Sequence, residues 1–82
     1  MKKSLRSKEQ LELQQLLAEA RKAAGLMQAD LAKRLDKPQS FVSKYEIGER
    51  RLDIIEIFHI CQAIGISFPE FAKQVERNIS GR

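Results

Sequence analysis

Apolar residues recur at helical spacing along nearly the whole chain, and no stretch alternates apolar and polar positions as a half-buried strand would. Leu13, Leu16, Leu17, Ala20 and Ala24 mark one face of a first helix over about residues 8–24. Ser7-Lys8-Glu9-Gln10 heads it as a capping box, with Ser7 as the cap and Gln10 reaching back. Gly25 stops it. A second helix covers about 28–35, with Leu31, Ala32 and Leu35 turned inward. Asp36-Lys37-Pro38 then breaks the period, because proline suits the first turn of a helix and disfavours helical geometry in the residue before it. Pro38 therefore opens a third helix, about 39–46, which ends at Gly48. "GERRLD" is a polar loop. Asp53-Ile54-Ile55-Glu56 is a second capping arrangement and starts a fourth helix that runs to about Ile64, before Gly65. Ser67-Phe68-Pro69-Glu70 repeats that grammar for a fifth helix to about Arg77, leaving 78–82 as a frayed tail. The pattern predicts an all-α fold of five short helices in a single domain over 1–82, with its core over about 8–77.

Composition narrows the function. The 82 residues suffice for one modest core. Fifteen lysines and arginines against eleven acids give a net charge of +4, and a small basic domain points to an anionic partner, nucleic acid first. A single cysteine, Cys61, rules out an internal disulfide and favours a reducing setting. No apolar run reaches the roughly 18 residues of a membrane span, and "MKKSLRSKEQLELQQLL" lacks the apolar stretch of a secretory signal. A cytoplasmic protein with no membrane partner is expected. No nucleophile–base pair or metal-ligand constellation is present, so neither an enzyme, a metal, a cofactor nor a small-molecule ligand is expected.

Two short helices separated by about three residues form a helix-turn-helix pattern. The second helix of such a unit must pack one side on the core and place the other in a groove about 12 Å wide. In "QSFVSKYE", Phe41, Val42 and Tyr45 supply the apolar side, while Gln39, Ser40, Ser43 and Lys44 lie on the other arc. None of these four is acidic. Glutamine can read adenine bidentately, serine is adaptable, and lysine reaches guanine or a phosphate. Phe41 fits either partial burial or contact with a thymine methyl at the edge of that surface.

"GLMQADLAKRL" followed by "DKPQSFVSKYEIGERRLDIIEIFHICQAIGIS" resembles the lambda-repressor-like, Cro-type helix-turn-helix family, also called the XRE family, over about residues 16–72. The glycine before helix two, the "Q..LA" of helix two and the "S..E.G.R" ending carry the resemblance. It implies a transcriptional regulator that binds double-stranded DNA as a homodimer. By that likeness Gln28, Lys37, Pro38, Arg50 and Arg51 fall where the family meets the DNA backbone, and Gln39, Ser40, Ser43 and Lys44 where it reads bases. Arg21 and Glu46 occupy the places of a structural salt bridge. Three positions depart from the pattern. Met27 stands where a serine or threonine usually caps helix two, a loss of about 1 kcal/mol. Asp36 stands where a glycine is common, and Pro38 where helix three usually has a hydroxyl cap.

Helix four is apolar nearly all round, which means burial on more than one side. Ile54, Ile57, Cys61 and Ile64 serve the domain's own core in this reading. Ile55 and Phe58, with Phe68 and Phe71 nearby, would then form a two-fold interface. His59 reads as a surface side chain and Cys61 as a small buried hydrophobe. The long N-terminal part of helix one, "SLRSKEQLELQQ", either packs across a partner or is solvated. The functional expectation is a repressor or autoregulator on a palindromic operator. The alternative is a protein-interaction module, antitoxin-like or adaptor, that uses the apolar surface of helices four and five.

Overall fold

The computed structural model describes residues 7–80, with Ser80 placed only by its backbone. Five helices follow one another: α1 (Lys8–Ala23), α2 (Gln28–Leu35), α3 (Gln39–Glu46), α4 (Ile54–Ile64) and α5 (Phe68–Ser80). Their starts follow from local chemistry. Ser7 accepts the Gln10 N–H at 3.2 Å, Asp53 accepts the Glu56 N–H at 2.7 Å, and Ser67 accepts the Glu70 N–H at 3.3 Å. Each satisfies a backbone donor that the first turn leaves without a partner. Helix α2 has no hydroxyl cap, yet its Asp30 carboxylate reaches back to the Met27 N–H at 2.8 Å. Half of a capping box thus survives the methionine.

The four inner helix ends share one closure. The N–H groups of Leu26, Lys37, Glu49 and Ile66 bond back to the carbonyls of Arg21, Ala32, Lys44 and Cys61 at 2.9–3.2 Å. Such a turn needs a left-handed residue just past the helix. Glycine provides it three times, and Asp36 provides it once, at φ 57° and ψ 45°.

Leu17, Leu31, Ala32, Val42, Tyr45, Ile60, Cys61, Ile64 and Phe71 form the buried core, drawn from all five helices. A fully buried leucine such as Leu17 or Leu31 contributes about 1.5–3 kcal/mol. Burial pushes the Cys61 thiol up to about 11, so it is an unreactive part of that core.

Three details differ from the sequence reading. Ile54 is 64% exposed, because it is the first residue of α4 and that helix meets the core only from Ile57 onward, through Ile57, Ile60, Cys61 and Ile64. Ala24 is exposed as the cap that follows α1. Residues 78–80, expected to fray, continue α5, while 81 and 82 lie outside the described residues, as do residues 4–6 of the long N-terminal stretch. Among the described residues no single helix is long and apolar enough to cross a membrane.

Candidate nucleic-acid interface

Helices α2 and α3 pack closely on each other, and the Asp36–Pro38 turn sets the angle between them. Pro38 is extended at φ −69° and ψ 156°, as the residue before a helix must be. On α3, Val42 and Tyr45 are fully buried and Phe41 is half-buried, edge-on to Tyr45 with ring centroids 5.6 Å apart. Gln39, Ser40 and Lys44 are exposed, and Ser43 is half-buried with its hydroxyl donating to the Ser40 carbonyl at 3.3 Å. Lys37 and Pro38 are exposed at the head of the helix. The two faces of α3 therefore divide cleanly into core and polar surface.

Behind this surface lies a polar network. Arg21 donates Nε–H to Glu46 Oε2 at 2.8 Å and Nη2–H to Glu46 Oε1 at 3.1 Å, and its Nη1 donates to the Leu26 carbonyl at 2.7 Å. Gln28 donates to the same Glu46 carboxylate at 2.9 Å, and Gln39 makes a long 3.5 Å contact to the Gln28 carbonyl oxygen. The helix ends of α1, α2 and α3 are thus joined behind the exposed arc. Tyr45 precedes Glu46 on the buried side, its hydroxyl buried with no hydrogen-bond partner among the described residues. Burial drives its phenol pKa far above the ordinary value.

Past α3, Arg50 is half-buried and paired with Glu56, whereas Arg51 is exposed. The Arg50 side chain holds the Glu56 carboxyl below the usual carboxylate range, aided by the Asp53 N–H. Arg50 Cζ stands 4.8 Å and Lys37 Nζ 5.5 Å from the Phe41 ring centroid. Of the apolar residues on α4 and α5, Ile55 is 60% and Phe58 38% exposed, and Phe58 meets half-buried Phe68 edge-to-face at 5.7 Å. Phe71 is only 2% exposed and belongs to the core, so it has almost no surface to offer a partner. His59 is exposed beside Phe58.

Residues 17–71 match a helix-turn-helix family model. An XRE-family like protein from Pseudomonas syringae pv. tomato str. DC3000 is 48% identical and superposes with a TM-score of 0.79, covering 83% of each chain. The chain belongs to the XRE-type helix-turn-helix family. Such a protein is a DNA-binding transcription regulator and not an enzyme. The restriction-modification controller protein C.Esp1396I shares the fold at 21% identity, with a TM-score of 0.84 over 92% of this chain and 96% of that one. The same controller has also been solved as a tetramer in complex with its natural 35-base-pair operator, and there the TM-score is 0.82 at 22% identity. No curated protein matches.

Three contributors to this XRE-type site escaped the sequence reading. Gln14, on the inward line of α1, is fully buried and donates to the Arg50 carbonyl at 2.8 Å. Its signal was its spacing: Gln14, Leu17 and Arg21 form one helical stripe, two of whose three members are polar. Asp30 was legible as the third residue of α2. Glu56 was read as a cap, and it is also the partner of Arg50.

Proposed function

We propose that this protein is a repressor or autoregulator that binds a roughly palindromic operator as a homodimer. One observation carries the reading: the exposed side of α3 offers Gln39, Ser40 and Lys44, all free of negative charge, while its other side is locked into the core by Val42 and Tyr45. A rigid helix with that division suits insertion into a major groove. Gln39, Ser40, Ser43 and Lys44 would read bases, and Gln28, Lys37, Pro38 and Arg51 would lie along the backbone. The operator complex known for the C.Esp1396I controller supports binding of this kind by this fold. The exposed Ile55 and Phe58, with Phe68 beside them, would form the two-fold contact and set two copies of α3 about 34 Å apart in successive grooves. A single, buried cysteine, Cys61, suits a cytoplasmic setting.

Selection of bound sequences from a random duplex pool, with purified protein at about 150 mM salt, tests this directly, because salt-dependent background binding is weak there. Enrichment of an inverted repeat with half-sites one helical turn apart is the expected result. No enrichment, with a monomeric protein in solution, would overturn it in favour of an interaction module using the same apolar face.

A further inference from the structure

Arg50 is gripped from three helices. From α1, the fully buried Gln14 donates to its carbonyl at 2.8 Å. From α4, Glu56 accepts from both terminal nitrogens of its guanidinium, at 3.1 and 2.8 Å. From α3, the Phe41 ring faces the guanidinium at 4.8 Å, and Tyr45 holds that ring edge-on from the buried side. Arg50 Nη1 also donates to the Arg51 carbonyl at 2.9 Å. Glu56 is fixed in turn, since it accepts the Asp53 N–H at 2.9 Å. Two residues before Arg50, the loop is pressed so closely to α1 that a Cβ on Gly48 would come within 2.8 Å of Leu11 Cδ2.

A guanidinium has five N–H donors, and the three hydrogen bonds that the Arg50 guanidinium makes are all internal. The carboxylate beside it also offsets part of its attraction for a phosphate. Arg51, the next residue, has an exposed side chain on the same loop. We propose that Arg50 is a positioning residue rather than a phosphate contact: clamped to Glu56 and stacked on Phe41, it sets the α3–α4 loop so that Arg51 meets the DNA backbone when α3 lies in the groove. The inference rests on the reading of α3 as the groove-facing helix.

The two roles make opposite demands on chemistry. A point-charge contact to a phosphate needs only the positive charge, which lysine also supplies, and a two-pronged contact by Arg50 itself would add to the loss in Arg51→Gln. A clamp needs the planar two-pronged fork and its stacking face, which lysine lacks. Arg50→Lys and Phe41→Leu both conserve charge, so neither should affect a simple electrostatic contact by Arg50. Binding of each variant to a generic duplex and to the selected operator would be followed by fluorescence anisotropy over a range of salt. Circular dichroism would verify that each variant is folded.

Both variants are expected to weaken binding about fivefold or more. Each should also lower the salt slope toward that of Arg51→Gln, which drops by about 0.9 for one lost phosphate contact. Combined with Arg51→Gln, neither should cause further loss, since all three remove the same contact. Wild-type binding by Arg50→Lys, or a loss that adds fully to that of Arg51→Gln, would overturn the proposal. If the pool enriches no sequence yet this pattern holds on the generic duplex, the operator reading fails and the positioning role stands.

Discussion

Arg21 and Glu46, 25 residues apart in the chain, meet in a two-pronged ion pair at 2.8 and 3.1 Å, with side chains only 8% and 6% exposed. The pair ties the end of α1 to the end of α3, and Gln28 joins it from α2. Such a pair adds little over apolar residues of the same shape, yet removing one partner leaves a buried charge uncompensated. Glu46→Ala is therefore expected to lower the unfolding free energy by about 3 kcal/mol or more. The double variant Arg21→Met with Glu46→Leu should lose much less. Urea denaturation of the three proteins checks this, and equal losses in the single and double variants would sink the account.

Gly48 and Asp36 hold the same left-handed conformation at corresponding helix ends, and they predict opposite outcomes. At Gly48, φ is 85° and a Cβ would strike Leu11. Gly48→Ala should destabilise by about 2 kcal/mol or more, from backbone strain and a crowded contact together. At Asp36, φ is 57° and the side chain is exposed, so Asp36→Gly relieves strain and loses no packing. That change should stabilise by a few tenths to about 1 kcal/mol. Thermal unfolding midpoints for both variants provide the check.

Tyr45 is the only tyrosine and the chain has no tryptophan, so its titration can be followed without overlap. Burial raises its folded-state pKa well above the ordinary value near 10. The sign follows: a raised folded pKa adds stability that is complete below pH 10 and is lost as the pH climbs beyond it. Phenolate absorbance should therefore appear only together with loss of helical circular dichroism. Titration near pH 10 in a protein that stays helical would contradict the buried placement. Because its hydroxyl has no hydrogen-bond partner among the described residues, Tyr45→Phe should be neutral or slightly stabilising and should move the alkaline transition to higher pH, where buried Cys61 still contributes.

Glu56 gives the mirror-image case at acid pH. Its carboxyl is held below the ordinary value of 4.5, first by Arg50 and then by the Asp53 N–H. A depressed folded pKa adds stability that is present above pH 4.5 and fades as the pH falls through the lowered value. Glu56→Gln should flatten that acid limb relative to the wild-type chain. Unfolding midpoints on either side of pH 4.5 would reveal the difference.

The helices were legible because their ends are written locally: Ser7, Asp53 and Ser67 cap, and Gly25, Gly48 and Gly65 close. Asp36 could be placed as well, since aspartate tolerates the left-handed region. The Arg21–Glu46 pair came from family likeness and could not have come from spacing alone. Burial was harder to read wherever a polar residue lies inside or an apolar one outside. Gln14 is fully buried because Arg50 offers it a carbonyl 36 positions away, and no local pattern encodes that partner. Ile54 and Phe71 were interchanged in effect: helical phase alone does not say which turn of α4 meets the core, or how deeply α5 enters it.

In the proposed reading, Gln39 is the outermost member of the chain Arg21–Glu46–Gln28–Gln39. Its exposed amide can meet an adenine edge, and the Gln28 side chain behind it limits the directions it can take. Gln39→Ala is expected to cost about 1–3 kcal/mol on the selected operator, with little change on a generic duplex, and to relax preference at one base pair in each half-site. Gln28→Ala leaves the reading group in place but removes its brace together with one backbone contact, so it should weaken binding to the operator and to a generic duplex alike while blurring the same base pair. Sequence selection repeated with both variants separates the roles. A Gln39→Ala protein that enriches the unchanged operator would move the reading function to Ser40, Ser43 and Lys44, and would leave the four-residue chain as a purely structural tie between three helices.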